Sequence, residues 1–291
     1  MKRNIKLLEN KDFPNKLKRI KNSPERLYLI GNESLLWEDC FGIVGTRKIT
    51  EYGIKNCENF SKEFAFRKIP VVSGMALGTD TIAHKTVLEY SGKTIAVLGS
   101  GFGNVFPLEN LDLFEKIIEN DGLIVTEFEY DMKPLKENFP KRNRIVTALS
   151  EGILVIEAGY RSGSSITAKN AIEQQKMVFA LPGKLDSYVG IGVNNLIKKG
   201  AILTTEIDDI LLKYPQFEKR KRIEVGKRNS KSVKIKKEYQ EIYNIIEKGD
   251  GIINTIVIET GLDIKEILRI LTNMEIDGMI MQDVSGKYIL T

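Results

Sequence analysis

Short apolar runs alternate with amphipathic stretches from about residue 41 to residue 213. The apolar runs are nearly continuous, which is typical of strands that are covered on both faces of a sheet. They predict strands at 41–45, 69–74, 94–99, 123–128, 152–158, 177–183 and 201–204. The stretches between them predict helices at 52–67, 79–90, 108–120, 145–150, 165–175 and 193–198. This alternation predicts an α/β fold with a doubly wound, parallel sheet of Rossmann type.

The last part of the chain has a different pattern. Apolar residues at helical spacing predict helices at 239–246, 253–259 and 264–274, and two short apolar runs predict a strand pair that turns at Ser285 and Gly286. Three helices and a hairpin indicate a small winged-helix domain. Such a module often places its third helix in the major groove of DNA.

The charge of that third helix does not suit a phosphate backbone. Its charged residues are Lys265 and Arg269 against Asp263, Glu266, Glu275 and Asp277. A net charge of −2 has the wrong sign for a helix that faces phosphates. We therefore predict a protein-docking or regulatory module, and duplex DNA binding remains the alternative.

The net charge of +5 is strongly segregated along the chain. Counting Lys and Arg against Asp and Glu, residues 1–24 carry +6, residues 25–218 carry −4, residues 219–237 carry +9 and residues 238–291 carry −6. The predicted domains follow these limits: a short basic N-terminal segment, a Rossmann-like domain, a basic linker and the winged helix. The linker has no period that could form a core, and it reads equally well as a solubilising tether or as a non-specific phosphate contact.

Several functional classes are excluded by composition. No apolar run is long enough to span a membrane, and the first residues lack the apolar core of a signal peptide, so we expect a soluble cytoplasmic protein. Cys40, Cys57 and the single His84 are too few for a metal centre. We find no catalytic Ser/His/Asp or Cys/His pair on a binding edge, no P-loop and no dinucleotide fingerprint. We expect no catalytic residue, metal or cofactor.

Small residues follow several of the predicted strands, at the edge where ligands bind in such sheets. The runs are Gly45-Thr46-Arg47, Ser73-Gly74-Met75-Ala76 and Ser162-Gly163-Ser164-Ser165. Free backbone N–H groups at helix N-termini bind anionic oxygens, and several phosphates could be held along one edge. Each loop taken alone could equally be a tight turn, and Arg47 alone could be a solvated surface charge.

A compact basic box lies at the same edge. It reads Phe139-Pro140-Lys141-Arg142-Asn143-Arg144-Ile145, directly before the strand predicted at 152–158. Lys136 and Phe139 are three residues apart and could present a cation and a ring together, the combination that clamps a sugar phosphate and stacks a base. Phe139 could instead fill the core. We expect Arg142 and Arg144 to make phosphate or structural contacts and Asn143 to orient the loop or a base.

These motifs resemble the DprA/Smf family of DNA-processing proteins of bacterial natural transformation. The resemblance rests on six segments in the family's order: 43–47, 72–84, 92–101, 139–145, 157–164 and 181–183. It implies an extended Rossmann domain that binds single-stranded DNA without cutting it, forms a homodimer and loads the RecA recombinase.

The resemblance also assigns nucleic-acid contacts to positions of this chain. It implies a phosphate contact for Arg47, base and backbone contacts for the box, and a groove completed by the Ser-Gly loops. The resulting candidate contacts are Gly45, Thr46, Arg47, Ser73, Gly74, Met75, Ala76, Lys136, Phe139, Lys141, Arg142, Asn143, Arg144, Ser162, Gly163, Ser164 and Ser165.

Two other functions remain open at this point. A nucleotide phosphoribohydrolase of the LOG or lysine-decarboxylase-like type could use Glu157 beside the Ser-Gly loop, although the P-G-G-x-G-T-x-x-E arrangement of that class is missing. A winged-helix transcription regulator with a ligand-sensing body would bind a specific duplex sequence.

Overall fold

The computed structural model of the chain describes residues 4–160, 162–223, 239–247, 250–277, 279–283 and 286–290. The chain divides into two compact units, residues 1–228 and 229–291, and each unit has an apolar core of its own. Residues 224–237 of the predicted basic linker lie outside the described residues. The domain limits predicted at residues 24, 218 and 237 stay predictions.

A mixed, mostly parallel sheet forms the centre of the first unit. Its nine strands are β1 (Lys6–Glu9), β2 (Arg26–Gly31), β3 (Cys40–Val44), β4 (Val71–Ser73), β5 (Thr94–Val97), β6 (Leu123–Thr126), β7 (Ser150–Val155), β8 (Val178–Ala180) and β9 (Ile202–Leu203). They lie in the order β1-β2-β6-β5-β4-β3-β7-β8-β9. Pairing is antiparallel where β1 meets β2 and where β2 meets β6, and it is parallel across the rest of the sheet, from β6 to β9.

Helices cover both faces of this sheet. They are α1 (Asn15–Lys18), α2 (Glu51–Phe66), α3 (Thr79–Glu89), α4 (Leu111–Glu119), α5 (Asn138–Leu149), α6 (Gly163–Glu173), α7 (Tyr188–Lys198), α8 (Asp208–Leu211) and α9 (Pro215–Glu218). The apolar sides of α1, α5, α6 and α7 form one cluster with the sheet. The apolar sides of α2, α3, α4, α8 and α9 form the clusters of the opposite face. The predicted doubly wound α/β fold is confirmed.

Every strand predicted from the apolar runs is present, and each begins and ends within a few residues of its predicted limits. The two strands that the pattern did not predict, β1 and β2, are the antiparallel ones at one side of the sheet. In β1 only Leu8 is buried, because a four-residue edge strand has one covered face and one open edge. So short a strand has no visible period.

The basic box is helical, and this corrects the predicted helix at 145–150. Helix α5 begins at Asn138 and includes the whole box. Pro140 lies in its first turn, where a backbone N–H has no intrahelical acceptor to lose. The pattern did not predict this start because the charged residues of the box carry no continuous apolar stripe. Their packing is set by tertiary contacts instead.

Two lysines stabilise the other end of α5. The Nζ atom of Lys176 lies 2.7 Å from the Thr147 carbonyl oxygen and 2.8 Å from that of Ala148, and Lys16 reaches the Leu149 carbonyl at 3.3 Å. Burial lowers the pKa of Lys176 to about 8, so it is still mostly charged at neutral pH. Cations at a helix C-terminus satisfy its last carbonyls and complement its dipole.

The second unit has the elements that the sequence predicts. They are α10 (Gln240–Glu247), α11 (Ile253–Thr260), α12 (Ile264–Ile276), β10 (Ile280–Gln282) and β11 (Tyr288–Leu290), and the two strands pair antiparallel. Ser285 of the predicted turn lies outside the described residues. The winged-helix assignment stays a prediction. Across both units, no described helix is long and apolar enough to cross a membrane.

A buried histidine makes the stability of the first unit depend on pH. His84 of α3 is fully buried, and its Nδ1 lies 2.6 Å from the Thr94 hydroxyl oxygen. Its Nε2 has no hydrogen-bond partner among the described residues. Burial lowers the pKa of His84 from 6.5 to about 3.

The unfolded chain therefore binds more protons than the folded one between these two pKa values, and stability falls as the pH drops from 6.5 towards 3. We predict that urea unfolding midpoints fall more between pH 7 and pH 4.5 for the wild type than for His84→Gln. An equal fall in both proteins would show that another group carries the acid sensitivity.

Candidate nucleic-acid interface

The strand order reverses its direction at β3, and this creates a crevice at the carboxyl edge of the sheet. From β3 the chain continues through α2 to β4 on one side, while β7 pairs with β3 on the other side. Phe41 and Ile43 of β3 pack in the cluster that contains α2, and Cys40 and Val44 pack in the cluster that contains α6. Helices that leave neighbouring strands towards opposite faces open a ligand crevice between them.

A cleft of about 680 Å³ occupies this position. Segments that follow β3, β4 and β7 meet there with the first half of α5. The lining residues are Val44, Gly45, Thr46, Arg47, Gly74, Ala76, Asp80, Phe106, Pro134, Lys136, Phe139, Pro140, Arg142, Asn143, Val146, Ser162, Gly163, Ser164, Ile166 and Thr167. Most of the candidate contacts from the sequence thus line one cavity.

An aromatic ring that lies close to two cations is the main feature of the cleft. The guanidinium carbon of Arg47 lies 5.6 Å from the centroid of the Phe139 ring, and that of Arg142 lies 5.9 Å from it. These are cation–π distances. Phe139 is half-buried and Arg47 is exposed. The ring therefore does not fill the core, and part of its surface faces the cleft beside a solvent-exposed cation.

Arg142 is a buried structural cation beneath that ring. Its side chain is 4% exposed, Nη1 donates to the carbonyl oxygens of Gly74 and Val97, and Nε lies 3.2 Å from Oδ1 of Asn143. Burial lowers the pKa of Arg142 to about 10, which leaves it charged at neutral pH. A Cβ atom at Gly74 would lie 2.7 Å from this guanidinium. Position 74 must therefore lack a side chain for the arginine to reach the sheet.

Arg144 and Lys141 do not line the cleft. Both Arg144 terminal nitrogens contact Glu127, at 3.0 and 2.7 Å, and the Arg144 side chain is 12% exposed. Lys141 lies 3.5 Å from the same carboxylate and 5.4 Å from the Phe128 ring. The Glu127 pair is a structural contact of Arg144, and the contact with nucleic acid that the sequence predicts for it stays a prediction. Adjacent positions of a helix point in different directions, so the box cannot present every cation to one ligand.

The Ser-Gly loop after β7 forms the start of α6. Ser162 caps this helix, and its hydroxyl accepts from the Ser165 backbone N–H at 3.4 Å. The N–H groups of Gly163 and Ser164 belong to the first helical turn, where no intrahelical acceptor exists. Both residues line the cleft. Asn143 holds this loop, since its amide nitrogen lies 3.4 Å from the Gly163 carbonyl.

The loop after β4 contributes less than expected. Ser73 is buried and its hydroxyl donates to the Ile43 carbonyl at 2.6 Å. Met75 is buried with a φ of 62°, and its side chain packs in the apolar core. Only Gly74 and Ala76 of this loop line the cleft. The loop after β4 therefore mainly forms the floor of the cleft.

Several residues that line the cleft were not predicted from the sequence. Phe106, Pro134 and Ile166 line it, and the Phe106 and Phe139 ring centroids are 5.9 Å apart at 60°. These residues come from loops or helix surfaces without a charged motif. The sequence carries no motif that would have marked them.

Comparison with known proteins decides the family. A family model described as DNA recombination-mediator protein A matches residues 4–215. The chain belongs to this family. The matched region contains the whole sheet and the cleft, so the geometry described above is that of the family's own region. The suspected DprA/Smf relationship is confirmed.

Relatives of this family are similar to the chain over most of its first unit. Protein Smf of Escherichia coli is 41% identical over 199 residues, which cover 68% of this chain and 53% of that protein. DNA processing protein DprA of Bacillus subtilis is 38% identical over 211 residues, covering 72% and 70%. The chain thus matches about half the length of the Escherichia coli relative.

Solved structures of the family have the same fold. DNA processing protein A of Streptococcus pneumoniae superposes with a TM-score of 0.69 at 36% identity, covering 72% of this chain and 74% of that one. The Helicobacter pylori protein superposes with a TM-score of 0.67 at 31% identity, covering 74% and 97%. The latter structure describes the single-stranded DNA binding mode of the Helicobacter pylori protein.

The two arginines at this edge should respond differently to charge reversal. Arg144→Glu would place two carboxylates together where a nearly buried pair now stands, and breaking such a pair costs about 3–5 kcal/mol. Arg47→Glu changes an exposed side chain and should alter stability by less than about 0.5 kcal/mol. Urea unfolding of both variants measures this. Equal stability of the two variants would contradict the structural role of Arg144.

Proposed function

We propose that this protein binds single-stranded DNA in the cleft at the carboxyl edge of its sheet and does not act on it chemically. The observation that carries the proposal is the half-buried Phe139 ring within cation–π distance of Arg47 and Arg142, in a cleft that the first turn of α6 also lines. A ring beside cations suits a strand whose bases are free to stack. The similarity to the Helicobacter pylori protein supports the choice of single-stranded DNA.

Each part of the cleft has a distinct proposed task. Arg47 and Lys136 are exposed and bind phosphates. Phe139 stacks a base, while Arg142 holds the ring from below and adds positive potential. The N–H groups of Gly163 and Ser164 donate hydrogen bonds to a further phosphate oxygen. Among the described charged residues that line the cleft, only the buried Asp80 is acidic.

The phosphoribohydrolase alternative is not favoured. Its candidate carboxylate, Glu157, is 3% exposed and accepts from the backbone N–H and the hydroxyl of Thr50, at 3.0 and 2.6 Å. These contacts satisfy the start of α2. Glu157 lines a separate cavity with Ser187 and Gly190, not the cleft of the Ser-Gly loop. A carboxylate in that position is far better explained as a helix cap.

The biological role that we propose is the protection of incoming strands and the loading of RecA recombinase during natural transformation, by a cytoplasmic homodimer. The membership in a recombination-mediator family supports this role. For the second unit we propose protein docking or regulation. The four carboxylates against two cations on and around α12 support docking rather than phosphate binding.

The cleft is tested by fluorescence anisotropy with labelled dT20 and the full chain. Arg47→Glu and Phe139→Ala should each weaken binding ~10-fold or more, because they remove a phosphate contact and a stacking surface. Log affinity should also fall with log salt, with a slope of about −0.7 for each phosphate neutralised. The matched control is Arg19→Glu, an exposed arginine outside the cleft.

The same titration discriminates the alternatives. If the three variants bind equally, the cleft is not the binding site. If a 20-base-pair duplex binds more tightly than dT20, the winged-helix regulator becomes the better account.

A further inference from the structure

A second, apolar pocket opens beside the cleft. Its volume is about 350 Å³. It shares Phe106 and Pro134 with the cleft, so the two cavities adjoin at these residues. The lining residues are Phe102, Gly103, Asn104, Val105, Phe106, Leu108, Leu111 and Pro134.

The pocket is formed by backbone that is held in place. The N–H groups of Gly101 and Gly103 each lie 2.9 Å from the carbonyl oxygens of Met132 and Tyr130, respectively. The Asn104 amide nitrogen lies 3.0 Å from the carbonyl oxygen of Asp131. A Cβ atom at Gly101 would lie only 2.0 Å from a carbonyl oxygen of the facing segment. Two segments of chain are thus tied together, and a ligand would meet a preformed surface.

Large apolar side chains on the walls of the pocket are exposed to solvent. Leu108 is 74% exposed, Leu111 is 45% exposed and Phe106 is 43% exposed. Apolar side chains that meet in one concave site mark a place where another molecule excludes water. None of the described lining residues is charged. The pocket therefore does not suit a phosphate, but it does suit a flat and weakly polar ring.

The residues shared with the cleft point to the source of that ring. Phe106 packs edge-on against Phe139, with 5.9 Å between ring centroids. A strand that stacks one base on Phe139 carries another base next to it, and the pocket beyond Phe106 offers that base an apolar surface. We propose that the pocket receives this neighbouring nucleobase. The proposal rests on the proposed single-strand binding and adds a second base-binding subsite to it.

The test separates bases from phosphates. The probes are dT8 and an eight-nucleotide strand of the same sugar phosphates with every base removed. Leu108→Ser should weaken dT8 binding about three- to tenfold, because one base loses an apolar wall, and should leave the binding of the abasic strand unchanged. Arg47→Glu should weaken the binding of both strands. The control is Leu212→Ser, since Leu212 is 72% exposed and lies outside both cavities.

Other outcomes overturn the inference. If Leu108→Ser binds dT8 like the wild type while Arg47→Glu does not, the pocket holds no base and the cleft still binds the strand. Equal weakening of both strands by Leu108→Ser would show a change in structure rather than the loss of a base contact. If Arg47→Glu binds both strands like the wild type, the proposed single-strand binding itself fails. Because Leu108 is mostly exposed, the variant should fold, and thermal unfolding checks this.

Discussion

The buried guanidinium of Arg142 determines the geometry of the candidate interface. A cation in the protein interior is tolerated only if its donors are satisfied, and Arg142 satisfies them on the carbonyls of Gly74 and Val97. These carbonyls lie at the ends of β4 and β5. The contact therefore ties the first half of α5 to the carboxyl edge of the sheet. This contact also positions Phe139 and Asn143 in the cleft, because they lie on the same turns of the helix.

The cations near the cleft have two different roles, and this explains how residues 25–218, whose net charge is negative, can form a cationic site. Some cations of the box are used within the protein: Arg142 anchors the helix and Arg144 pairs with Glu127. Arg47 and Lys136 stay exposed at the cleft. The buried cations position the helix, and the exposed ones are the proposed phosphate contacts, whose strength would depend on salt. The neighbouring apolar pocket adds the proposed surface for a base.

The central strands were predictable because burial on both faces leaves continuous apolar runs, as in Cys40–Val44 and Ser150–Val155. The place of the loops at their carboxyl ends was also predictable, because parallel strands bring those ends to one edge of the sheet. The edge strand Lys6–Glu9 and the helical start of the box were not, since neither carries an apolar period. Nor could sequence separate Arg142 from Arg144. Their roles depend on which carbonyls and carboxylates the folded chain places nearby.

The most direct test of the account is to map where a single strand touches the full chain. Photo-crosslinking of a 5-bromodeoxyuridine oligonucleotide, followed by mass spectrometry of the attached peptides, makes this measurement. The account predicts crosslinks in the peptides that carry Phe139 and Phe106, with loss of both when Arg47 is replaced by Glu. Crosslinks confined to residues 219–237 or to the second unit would contradict it.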